Sequence, residues 1–134
     1  WESLKARIEA LSLSKLVSFR GTVTHSELPK VLNQYRLFVS FNDGALDRAV
    51  VEAMACGLPV ITPNECVDEV LPQELRDLLI IPKHDTDVQA AAIHQLLSAE
   101  ADQLLQIGRS LRENVVRNHN IGTLVDKILA EMMA

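Results

Sequence analysis

With 134 residues, 48% of them apolar and 23% charged, the chain has the size and burial potential of one globular domain, which argues against disorder. Lys and Arg number 13 against 18 Asp and Glu, a net charge of −5, and aromatics make up only 4%, so the basic footprint and stacking platforms of a nucleic-acid binder are missing and nucleic acid is not an expected partner. No apolar run approaches the ~18 residues that span a bilayer, no signal-peptide core opens the chain, and Cys56 and Cys66 lack CxxC spacing; a soluble protein of the reducing cytoplasm is expected.

The chain begins at Trp1 rather than Met, as an excised or processed piece of a longer protein would. Four short runs have strand length: 16–19, 37–40, 59–62 and 78–81. Segments with helical spacing follow, from Ser26 to Gln34, Asp47 to Cys56 and Asp85 to Ser98. This alternation predicts an α/β fold with a parallel sheet of about four strands and helical crossovers. The run at 59–62 shows no polar alternation and that at 78–81 almost none, as for strands covered on both faces. Gly57 followed by Pro59 is a helix-stop signal leading into the third strand.

Beyond Pro82 the spacing is helical throughout. Val88, Ala91, Ala92, Ile93, Leu96 and Leu97 form one apolar stripe; Leu104, Leu105, Gly108, Leu111 and Val115 form a second. Ile121, Leu124, Val125, Ile128, Leu129 and Met132 form a third, on a final amphipathic helix that needs a body to dock on. There is no internal repeat, low-complexity tract or linker, so residues 1–134 read as one domain.

The segment from Ser40 to Pro63 leaves a strand, passes a polar glycine turn, enters a helix and exits to another strand. In an open α/β sheet, ligands bind beyond the carboxyl ends of the strands, where helix N-termini offer free N–H groups and partial positive charge suited to phosphate. Glu52 stands among Ala49, Val50, Val51, Ala53, Met54 and Ala55, which must pack against the sheet, so its carboxylate needs compensation. Two readings are open on these residues alone: an i, i+4 ion pair with Arg48, worth a few tenths of a kcal/mol, or a grip on the two hydroxyls of a ribose.

The string from Glu52 to Ile61 (Glu-Ala-Met-Ala-Cys-Gly-Leu-Pro-Val-Ile), preceded by Phe19, Gly21 and Val23 and by Leu28-Pro29, resembles the C-terminal, donor-binding domain of the group 1 family of retaining, nucleotide-sugar-dependent glycosyltransferases of the GT-B fold, which have two Rossmann-like domains. The likeness runs over essentially the whole chain. It implies that Glu52 holds the donor's ribose, matching the second Glu of a Glu-x7-Glu pattern. It implies further that backbone amides from Gly44, Ala45, Leu46, Asp47 and Arg48 face the diphosphate and sugar, and that Gly21, Thr22 and Val23 skirt the nucleobase.

The first Glu of that pattern is replaced: Gly44 stands eight residues before Glu52, and counting from Ser40 places Asp43 at the contact, one residue out of register. Either Asp43 serves the donor sugar or the contact is lost; the string Gly-Ala-Leu-Asp-Arg, like the Gly-x-Leu-Asp-Lys of some bacterial members, favours a subfamily. Asp47 is read foremost as a helix cap. Arg48 either offsets charge growing on the leaving diphosphate or pairs with Asp47 or Glu52. His25, His84, His94 and His119 have no metal-ligand spacing, so no metal and no cofactor are expected. His25 is read as a hydrated loop residue before a base contact, Cys56 as a small core filler, and Asp68 and Glu69 as hydrated loop charges.

The resemblance thus implies transfer of a hexosyl unit from a nucleoside-diphosphate sugar with anomeric retention, in polysaccharide or glycoconjugate biosynthesis. The acceptor, a saccharide or lipid-linked group, would sit on a separate N-terminal domain, and the full-length protein would associate peripherally with membranes. Two further strands carrying a basic phosphate clamp are expected upstream, placed in the sheet between the runs at 16–19 and 37–40. The 134 residues alone are accordingly expected to be inactive, and to close that gap directly or by self-association. The rival reading is a non-catalytic interaction or regulatory module that kept the fold and lost the contact at position 44.

Overall fold

The computed structural model describes residues 1–133. In chain order it contains α1 (Glu2–Ala10), α2 (Leu28–Leu32), β1 (Phe38–Val39), α3 (Arg48–Ala55), β2 (Val60–Ile61), 3₁₀ turns at Glu65–Val70 and Gln73–Leu75, α4 (Arg76–Leu79), α5 (Thr86–Leu97), α6 (Ala101–Asn118) and α7 (Ile121–Met133). This is a mixed α/β architecture built on a small parallel sheet, with a helical C-terminal tail.

β1 and β2 pair in parallel, Phe38 opposite Val60 and Val39 opposite Ile61, with α3 as the crossover. Both β2 residues are fully buried because each edge has a neighbour: β1 on one side, and on the other a single bridge from Thr62 to Ile80. Among the described residues the sheet therefore has two strands where four were expected. The run at 78–81 divides: α4 takes residues to Leu79, and only Ile80 and Ile81 extend alongside Thr62, with Ile81 N–H donating to Thr62 C=O at 3.0 Å. The run at 16–19 forms no strand. A strand needs a ladder partner, and here Leu16 and Val17 spend their N–H groups on Leu13 C=O in local turns while Leu16 stays 82% exposed. Phe19 instead stacks at a tilt on Trp1, ring centres 4.7 Å apart.

α3 occupies 48–55 of the expected 47–56, and both ends have a cause. Asp47 is its N-cap: Oδ1 accepts Ala49 N–H at 3.0 Å, while Oδ2 accepts the Ser40 hydroxyl at 2.6 Å. At the other end Gly57 takes φ +75°, Leu58 N–H reaches Ala53 C=O and Gly57 N–H reaches Met54 C=O, the Schellman pattern that a left-handed glycine permits. Asp47→Ala is expected to lower stability by about 1–2 kcal/mol, and Asp47→Asn, which keeps an accepting oxygen, to recover most of it; urea midpoints at unchanged slope give the comparison.

α6 closes the core. Its buried face is Leu104, Ile107, Gly108, Leu111 and Val115. Ile107 thus takes the place expected for Leu105, which is 55% exposed. Gly108 lies directly on the Gly57 turn, and the Arg112 guanidinium donates to Ala55 C=O, satisfying a carbonyl that α3 leaves free at its C-terminus. α5 buries only Leu96 fully, its stripe residues Val88 and Leu97 remaining exposed. α1 and α7 bury no residue, so the stripe from Ile121 to Met132 finds no cover among the described residues.

Candidate functional site

The loop from Ser40 to Asp47 leaves the C-terminal end of β1, and the segment from Thr62 to Glu65 leaves that of β2. Side chains within the first loop shape it: Asn42 N–H donates to Ser40 Oγ at 3.3 Å, and Gly44 N–H to Asn42 Oδ1 at 3.1 Å. The Gly44 amide, expected to face a diphosphate, is therefore turned onto Asn42. Asp43 is exposed at the tip of this turn.

Glu52, one turn into α3, is half-buried, its side chain 26% exposed. Arg48 Nε donates to Glu52 Oε1 at 2.8 Å, and His25 Nε2 lies 3.6 Å from the same oxygen. Arg48 is 79% exposed, so water screens the pair to a few tenths of a kcal/mol. Glu52 and His25 line a cavity of about 420 Å³ together with Leu28, Pro29, Cys56 and Arg112. Its wall combines an apolar α2 surface with one carboxylate and one guanidinium.

The residues expected to act together are brought together only in part. Gly44 to Arg48 and Glu52 share α3 and the loop before it. Thr22 and Val23 line a separate hollow of about 380 Å³ with Lys30 and Gln34, so His25 is the residue of this N-terminal loop that meets Glu52. Gly21 adopts φ +69° just ahead of Thr22, in left-handed backbone that glycine favours. Asp68, in the first 3₁₀ turn, pairs with Arg76 at the start of α4 at 3.1 Å.

Asn64 and Arg112 were not singled out in the sequence. Asn64 is 1% exposed, donates from Nδ2 to Ala45 C=O at 3.0 Å and accepts Cys66 N–H at 2.9 Å, tying the two strand-end loops together. An Asn just past a strand reads as a turn former, and its reach to Ala45 leaves no local signal. Arg112 looks like an ordinary charge on the surface of a long helix.

Burial pushes the Cys56 thiol above its ordinary range; the Arg112 guanidinium opposes this and the Glu52 carboxylate adds to it. Iodoacetamide at about pH 8 is expected to alkylate exposed Cys66 well before Cys56, as a peptide-mass time course will show; the reverse order would contradict this environment. Among the described residues no three His, Cys, Asp or Glu side chains converge to hold a metal ion.

Comparison with curated proteins and with solved structures gave no match. A family model described as glycosyl transferases group 1 matches residues 1–99, which include both strands, the capped loop, Glu52 and Asn64. By that match the chain belongs to the group 1 glycosyltransferases.

Proposed function

We propose that this chain binds a nucleoside-diphosphate sugar and that the protein it serves transfers the hexosyl unit with retention of configuration. The observation that carries this reading is the Glu52 carboxylate, half-buried at the wall of a cavity and one turn inside a helix whose N-terminal loop opens at the end of β1. A ribose diol supplies two donors to such a carboxylate, and the diphosphate then lies toward the α3 N-terminus, where N–H groups and the helix dipole favour negative charge.

Catalysis on this reading is differential. As the bond from sugar to diphosphate breaks, charge grows on the leaving oxygen, and groups already aimed there stabilise it without reorganising. Arg48, 79% exposed and bound to Glu52 by a solvent-screened pair, is assigned that charge, and Asp43 at the loop tip is assigned the donor sugar. The scheme needs no metal. The acceptor lies on surfaces other than these, and peripheral membrane association belongs to the same proposal.

Thermal melts with UDP, GDP and ADP test the reading. One of the three is expected to raise the midpoint progressively with concentration, following RT ln(1 + [L]/Kd). If none does in a chain extended upstream to carry the expected phosphate clamp, the Arg48–Glu52 ion pair is a structural brace and the chain is a non-catalytic module of the same family.

A further inference from the structure

We propose that Asn64 is a positioning residue that aims the Leu46 amide outward to receive the donor's phosphate; this rests on the donor-site reading above. In a trans peptide, C=O of one residue and N–H of the next point in opposite directions, and the chain contains no cis bond among the described residues. Asn64 Nδ2 holds Ala45 C=O inward at 3.0 Å. Leu46 N–H of the same peptide plane therefore points away from Asn64, to the outer side of the loop just ahead of the α3 N-terminus.

The lever is itself fixed at every polar atom. Asn64 N–H donates to Thr62 Oγ1 at 3.1 Å, its Oδ1 caps the 3₁₀ turn through Cys66 N–H at 2.9 Å, and both Thr62 and Asn64 are buried. With Asn64 anchored to β2's exit, the orientation of the loop after β1 becomes a property of the second loop. Two amides on either side are already engaged, Gly44 N–H by Asn42 and Ala49 N–H by Asp47.

Asn64→Ser separates the two tasks, because a serine oxygen still caps the 3₁₀ turn but is too short to reach Ala45 C=O. Calorimetry with the nucleoside and with the diphosphate of whichever base binds gives the readout. Loss of about tenfold or more in diphosphate affinity is expected, the share of one charge-assisted hydrogen bond, with nucleoside affinity unchanged. Equal losses for both ligands, or none for either, would overturn the inference while leaving the donor site standing. Should the serine variant not fold, the wild-type chain decides: the Leu46 amide resonance is expected to shift on adding the diphosphate and to stay still with the nucleoside, and the opposite pattern refutes the assignment. If no nucleotide binds even the wild-type chain extended upstream, the donor-site reading fails and this inference fails with it.

Discussion

Gly108→Ala is expected to destabilise the chain by about 3 kcal/mol or more, the upper end of what overpacking a filled core costs. A Cβ built at 108 would stand 2.0 Å from the carbonyl oxygen of Gly57 and 2.9 Å from its carbonyl carbon. Those are backbone atoms of a turn pinned by the Schellman bonds, so no side chain can rotate aside to make room. Relief requires α6 to lift from α3, which uncovers Met54, Leu111 and the Arg112 contact with Ala55 together. The partner glycine behaves differently: a Cβ on Gly57 meets only ordinary contact at 3.7 Å, and Gly57→Ala costs the left-handed backbone alone, about 1–2 kcal/mol. Urea denaturation of both variants gives the order, and a Gly108→Ala midpoint at or above that of Gly57→Ala would rule out this packing.

Glu52→Ala is expected to remove the stabilisation by nucleoside diphosphate while leaving the unliganded midpoint almost unchanged. The exposed Arg48 partner makes the ion pair worth only a few tenths of a kcal/mol, so its loss is small against the ligand term, about 2.7 kcal/mol at a hundredfold excess over Kd. Glu52→Gln keeps one accepting oxygen and no charge, and should retain a weakened response. Melting curves across a ligand series distinguish the variants. A full ligand-induced rise in Glu52→Ala would mean that the nucleotide sits elsewhere.

What was legible in the sequence follows from how local each determinant is. The exit from α3 is written in Gly57 and Pro59, and the entry in Asp47, so that helix appeared within one residue of its expected bounds at each end. The run at 78–81 is apolar at every position, and such a run carries no period that separates helix from strand; the chain uses both, switching at Ile80. The run at 16–19 has strand composition, but composition cannot supply a neighbour to pair with. In α6 the apolar residues at 104, 105 and 107 are equally suited to a core face, and contact with Gly57 through Gly108 sets the rotation that buries Ile107 and exposes Leu105.

The candidate site divides along the same line. Glu52 was visible because a carboxylate in an apolar helical run is anomalous wherever it occurs. The couplings across sequence, Asn64 to Ala45, His25 to Glu52 and Arg112 to Ala55, join residues 19, 27 and 57 positions apart and leave no trace in any short window. They are also what turns separate loops into one surface.

Among the described residues, every fully or nearly fully buried apolar side chain lies from Leu32 to Val115, and neither α1 nor α7 contributes to that set. Cooperativity therefore resides in the middle of the polypeptide, and the two terminal helices are energetically separable from it. Their amides can open to exchange at little free-energy cost while those of α3, β2 and α6 open only with global unfolding, so the protection map has a plateau flanked by two steps.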